Sequence, residues 1–249
     1  MSGHSKWATI KHKKGAADKA RGKLWAKLIR QVEVAARAGG GDIDANPSLR
    51  TMVDKAKGAS VPNDTIDRAI KRANGELAGV TYESATYEGY APDGVAVYIE
   101  ALTDNRNRTS ADMRHAFAKN GGSMAEPGAV AWQFERKGVL YVARSVAEDD
   151  IMMATLEAGA EDIVDEGDNW RVSSEPTDLQ AVRKALEDAG IAVQSADLTM
   201  LPKATIALST AESARRVLKL IDALDEHDDV QDVYANFDIP DEILQTMDA

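Results

Sequence analysis

The sequence predicts an α+β protein: an N-terminal helical bundle followed by two α/β ferredoxin-like domains, one inserted in the other. Three observations predict it. Apolar residues recur at helical spacing through residues 1–75, then give way after Tyr82 to short strand-like runs. Residues 138–202 read as β-α-β-β-α-β, the split ferredoxin-like order. A further β-α-β unit after Pro202 makes only half of a two-layer sandwich, and the strands and helix of 82–134 can supply the other half. The expected domains are therefore 1–78 (basic and helical), 79–135 with 204–249 (discontinuous α/β), and 136–203 (inserted, acidic α/β).

The first helix is expected over Asp18 to Ala38, stopped by Gly39-Gly40-Gly41. Leu24, Leu28, Val32 and Ala35 fall on its apolar stripe, with Trp25, Ile29 and Ala36 beside them. Lys19, Lys23, Lys27, Arg30 and Arg37 cluster within about 80° on the opposite side. A second helix opens at Asn46-Pro47, where Asn suits the N-cap and Pro the first helical position. A third opens near Pro62-Asn63, with Ile66, Ala69, Ile70 and Ala73 as its core stripe.

Beyond Tyr82, Tyr87 to Gly94 reads as a strand and turn, and Val95 to Ile99 as a strand. A helix is expected over Ser110 to Lys119 with Thr109 or Ser110 as cap, and a strand over Val130 to Phe134. The inserted unit should hold strands at 139–143, 162–165, 170–173 and 193–200, with helices at 148–157 and 179–189. Strand 205–208, helix 211–224 and strand 230–236 complete the order.

The chain has 249 residues and no cysteine, so disulfides, thiolate metal sites and cysteine nucleophiles are excluded. No apolar run approaches the roughly 18 residues of a membrane span. The start, Met1 to Trp7, has no apolar signal core, so a cytoplasmic protein with no membrane partner is expected. Net charge is −11, but it is unevenly spread: +9 over residues 1–75, −2 over 76–145 and −18 over 146–249. Such asymmetry suggests a basic contact module on an acidic body.

The basic module has two parts. Residues 1–14 form a polar arm carrying His4, Lys6, Trp7, Lys11, His12, Lys13 and Lys14. The helix face carrying Lys19, Lys23, Lys27 and Arg30 follows, with successive cations about 6 Å apart, close enough to reach neighbouring phosphates. Against binding stands the usual fate of charged helix residues, a solvated face. Trp7 can stack on a base or anchor the arm to the bundle. Arg106 and Arg108, in Thr103-Asp104-Asn105-Arg106-Asn107-Arg108-Thr109, can contact phosphate, while the Asp, Asn and Thr there also suit simple caps and turns. Two distant histidines do not make a metal site. No phosphate loop, nucleophile elbow or zinc-protease motif is present, so no catalytic residue, metal or cofactor is expected.

Gly3-His4-Ser5-Lys6-Trp7, Ile10 to Lys14, Arg21-Gly22-Lys23, Gly39 to Asp42 and Asn46-Pro47 together resemble the YebC/PmpR-type family. So do Tyr87 to Pro92, Thr103 to Arg108, Ala158 to Asp162 and Asp228 to Val233. The likeness runs through nearly the whole chain in order; Trp25 and Ala26 stand where the family has other residues. The resemblance implies three domains around a cleft, one α/β domain interrupted by the other. It implies nucleic-acid binding in the control of gene expression. Bacterial members are described as DNA-binding transcriptional regulators. Other members are similar to translation factors: a mitochondrial activator for a cytochrome oxidase subunit, and ribosome-associated factors that relieve stalling at proline runs. Duplex DNA and ribosomal RNA on the ribosome are thus both expected partners, of a chain expected to act as a monomer.

Overall fold

The computed structural model describes residues 17–248. It is α+β, with helices first and antiparallel sheets after them. It divides into two compact units, whose described residues are 17–129 with 215–233, and 130–214 with 234–248.

The first unit begins with three helices: α1 (Ala17–Gly39), α2 (Pro47–Gly58) and α3 (Asn63–Ala73). Leu28, Val32, Ala35 and Ala36 of α1 pack with Leu49, Val53 and Ala56 of α2 and with Ile66 and Ala69 of α3. Leu24, expected on the same stripe, is instead 47% exposed. Helix α1 has 23 residues against 12 and 11 in its partners, so its early turns extend past them. Trp25 still reaches the core edge, its indole N–H donating to the Ala59 carbonyl at 2.9 Å.

The same unit holds β1 (Glu83–Tyr90), β2 (Ala96–Thr103), α4 (Arg106–Lys119) and β3 (Ser123–Ala125). Helix α4 starts four residues before the expected Ser110, because Asn105 is the cap: its side chain accepts from the Arg108 amide at 3.1 Å. Gly89 lets α4 approach the sheet, since a β-carbon there would sit 2.6 Å from the Phe117 ring.

In the second unit, β4 (Phe134–Ala143) is one unbroken strand. The strand expected over Val130 to Phe134 is absent; Ala131 to Gln133 form a 3-10 turn, and the junction expected at 135/136 falls inside β4. Gly138 keeps β4 continuous beneath a close neighbour, since a β-carbon there would meet the Leu179 β-carbon at 2.8 Å. Helix α5 (Glu148–Thr155), β5 (Ala160–Asp165), β6 (Asn169–Ser174), α6 (Leu179–Asp188) and β7 (Val193–Pro202) follow. The sheet order is β5-β6-β4-β7, all pairs antiparallel, which is the ferredoxin-like order. Leu140, Val142, Trp170 and Val172 meet Ile151, Leu179, Val182 and Leu186 in its core.

After β8 (Ile206–Ala207) comes α7 (Ala211–Asp225), then β9 (Val230–Ala235). Strand β9 joins the first unit's sheet, giving the order β3-β1-β2-β9. Strand β10 (Phe237–Asp238) pairs in parallel with β8, and α8 (Asp241–Asp248), not expected from the sequence, ends the described chain. Among the described residues no helix is long and apolar enough to cross a membrane.

Candidate nucleic-acid interface

Within the first unit the basic side of α1 faces a short acidic turn, Asp225-Glu226-His227-Asp228-Asp229, between α7 and β9. Lys23 Nζ donates to the Glu226 carbonyl at 2.9 Å. Lys27 Nζ donates to the Asp225 carbonyl at 3.2 Å and to its carboxylate at 3.0 Å. Arg30 donates to the Asp228 carbonyl, lies 3.4 Å from the Asp229 carboxylate, and sits over the Tyr82 ring with 5.3 Å to its centroid. Lys23, Lys27 and Arg30 thus lie partly exposed along one side of α1, and each has a partner. A partner segment some 200 positions away offers them oxygen atoms.

Arg108 arrives at the same turn from the start of α4. Its guanidinium donates to Asp229 at 2.8 Å and to Asp104 at 2.7 Å. Those two bonds, Asp229 first, hold the Arg108 pKa above its ordinary value. Asp229 is 4% exposed, and burial alone would raise its carboxyl. The hydrogen bonds from Arg108 and Thr109 and the charges of Arg108 and Arg30 outweigh burial and leave it below the usual carboxylate range. Thr109 gives its proton to Asp229 at 2.7 Å, so the 2.7 Å contact between Thr103 and Thr109 is donated by Thr103. His227 accepts the Asp229 amide at Nδ1, so its Nε2 carries the proton and donates to Asp112 at 3.1 Å.

Lys23, Arg30 and Arg108 line an open cleft of about 740 Å3, together with Tyr82, His227 and the carboxylates of Asp104, Asp112, Glu226, Asp228 and Asp229. With three cations against five carboxylates, the acidic turn competes with a polyanion for the cleft's cations. Those cations can bind phosphate where the turn's oxygens now sit. No group of three or more His, Asp or Glu among the described residues is arranged to hold a metal ion.

Of the other expected contact residues, Arg106 is exposed, with a loose 3.8 Å pairing to Glu83, and does not join the cleft. Arg37 donates to Thr81, away from the turn. Lys19 lies in α1, but its side chain is outside the described residues. The arm residues His4, Lys6, Trp7, Lys11, His12, Lys13 and Lys14 also lie outside them. The sequence reading missed Tyr82 and the acidic turn. A run of four acids in five residues after a helix was visible, but nothing in it announced a basic partner so far upstream.

Residues 5–76 match the description "TACO1/YebC protein N-terminal domain", and residues 82–237 match "TACO1/YebC second and third domain". A "Probable transcriptional regulatory protein" of Mycobacterium sp. (strain KMS) is 58% identical over the full length of both chains. One of the same name from Halothermothrix orenii is 53% identical over 98% of each. Among solved structures, a conserved hypothetical protein from Aquifex aeolicus is similar with a TM-score of 0.80 and 45% identity, covering 92% of this chain and 94% of that one.

Proposed function

The chain belongs to the TACO1/YebC family, and from that premise we propose that it is a non-enzymatic, nucleic-acid-binding regulator of gene expression, acting on DNA as a monomer in the cytoplasm. The observation that carries the reading is the convergence of Lys23, Lys27, Arg30 and Arg108 on one oxygen-rich turn. All four donate to carbonyl or carboxylate oxygens, and phosphate oxygens satisfy the same donors, bidentately in the case of arginine. Tyr82, already under Arg30, adds a ring on which a base can stack. The basic residues from His4 to Lys14 are proposed as further contacts on their charge alone. The names of the relatives, probable transcriptional regulatory proteins, support a regulatory role.

A second reading, a translation factor on ribosomal RNA, is favoured by one observation. Helices α2 and α3 are joined by four residues, the spacing of a helix-turn-helix. The start of the second helix would then meet base edges. In α3 that start exposes Asp64 and Asp67 beside Arg68, and the two acids, repelled by phosphates, disfavour base reading there. Ribosome co-sedimentation beside a duplex-DNA mobility shift at matched salt decides between the two. Tight duplex binding with free ribosomes supports the DNA reading; stable ribosome association with weak, sequence-blind duplex binding overturns it. If four cations engage, log K should fall against log salt with a slope of about −3.6 on duplex DNA and about −2.8 on single strands. A slope near zero overturns both readings.

A further inference from the structure

The second unit carries an apolar surface that nucleic-acid binding does not use. On α5 and the 3-10 turn that continues it, Met153 is 74% exposed, Leu156 69% and Met152 45%. At about 100° per residue these three occupy one arc about 100° wide. Ile151 and Thr155, on the opposite side, are fully buried and hold the helix to the sheet. The outward stripe is therefore not the edge of a core; it is a second apolar face with no partner among the described residues.

Carboxylates frame that face. By the same geometry Glu148 lies beside Met152, Glu157 lies beyond Met153, and Asp149 stands one turn before the stripe. All three are exposed. Acids in a first helical turn are favoured by the helix dipole, which accounts for Glu148 and Asp149. Glu157 sits at the other end, where the dipole disfavours it, so helix stability does not explain it. No lysine or arginine occurs between Arg144 and Arg171. Arg144 is bound to Asp165 at 2.9 Å and stacked 4.0 Å from the Trp170 ring, while Arg171 is bound to Glu166 at 2.8 Å. On the neighbouring helix α6, Arg183 and Lys184 are paired with Glu187 and Asp188, so the charge flanking the stripe is net negative. Methionine side chains, unbranched and polarisable, adapt to the shape of whatever covers them.

We propose that this face docks a basic amphipathic segment of a protein partner, its apolar side chains on Met152, Met153 and Leu156 and its lysines or arginines on Glu148, Asp149 and Glu157. A negatively charged membrane surface is repelled by that frame, and a nucleic acid is repelled equally. The mode is a helix laid on an apolar stripe with charged flanks.

The test uses the full chain and an 18-residue peptide of leucine and lysine with leucines at helical spacing. A scrambled peptide of the same composition is the control. Binding is read by fluorescence anisotropy near physiological salt. The amphipathic peptide should bind at least about tenfold tighter than the scramble, a difference of about 1.4 kcal/mol. The double variant Met153→Glu, Leu156→Glu should abolish that preference. Glu148→Gln with Glu157→Gln should weaken binding of both peptides. All four positions are exposed, so unchanged melting of the variants is expected. Equal binding of the two peptides overturns the proposal, as does an unaffected Met153/Leu156 variant. So does a dimer of this chain that the same variant dissociates, which would make the occupant a second copy. Binding of neutral lipid vesicles through this stripe overturns it in favour of a lipid surface.

Discussion

Arg108 donates to Asp229 at 2.8 Å across 121 positions of sequence, tying the first turn of α4 to the loop that enters β9. The carboxylate also takes the Thr109 proton, and the Asp229 carbonyl accepts the Leu102 amide at 2.8 Å. Asp229 is thus the joint between sheet, helix and turn. Asp229→Ala removes the acceptor of the buried Thr109 hydroxyl and the partner of two arginines, at a cost of about 2–3 kcal/mol. Arg108→Ala should cost less, because the deleted guanidinium is itself partly in water and Asp229 keeps Thr109 and Arg30. Urea titration of both variants checks the order; equal midpoints would remove Asp229 from this role.

The same carboxylate sets an acid limb. Its folded pKa lies below the ordinary value near 3.9, so its contribution is fully present above about pH 4 and is lost as pH falls through the lower folded value. Wild type should lose stability over that window, and Asp229→Asn should lack this component of the loss. Midpoints measured from about pH 2.5 to pH 6 test it. Parallel curves for the two proteins would mean that Asp229 contributes nothing to acid sensitivity.

The acidic turn should compete with nucleic acid for Lys23, Lys27 and Arg30. Asp225→Asn, Glu226→Gln and Asp228→Asn together keep similar shapes while removing three negative charges beside the cations. Affinity for duplex DNA or ribosomal RNA should rise several-fold, about 3- to 10-fold at moderate salt. Lys23→Gln with Lys27→Gln should lower it and make the salt slope shallower by about 2. Weaker binding by the neutralised turn would show that the turn organises the cations instead of masking them.

These contrasts explain what the sequence made legible. The stripe Leu28, Val32 and Ala35 follows from a local period, and burial of those residues obeys it. Gly159 takes the left-handed conformation that closes the 3-10 turn after α5, with φ 97°. Periodicity says which residues share a face; it does not say what covers that face. Leu24 shares the stripe with Leu28 but stays about half exposed, and Lys27 shares the cationic face but meets Asp225. The cap of α4 was misplaced because Asn105, Thr109 and Ser110 all suit the position, and tertiary burial of Thr109 against Asp229 decides among them. The apolar arc on α5 was hidden for the same reason, since Met152 and Ile151 look alike until the sheet selects one.

Asn46 offers the sharpest test of how the helical bundle is held. Its side chain is 4% exposed and all its hydrogen-bonding groups are used. The Oδ1 atom accepts from the Leu49 amide at 3.0 Å and caps α2. The Nδ2 atom donates to the carbonyls of Ala35 at 2.9 Å and Gly40 at 2.8 Å, closing the end of α1. One amide therefore joins the stop of one helix to the start of the next, a use beyond the cap alone. Asn46→Ser retains a cap and should be mildest. Asn46→Ala loses about 1 kcal/mol of capping and leaves two carbonyls unmet, for a total of about 2–4 kcal/mol. Asn46→Asp keeps the cap but sets a buried charge against those carbonyls, so it should be worst despite its good N-cap preference. Because two compact units need not unfold together, amide exchange in α1 and α2 is the right measurement. If Asp at 46 proves milder than Ala, capping alone explains the residue and the bonds to Ala35 and Gly40 carry no weight.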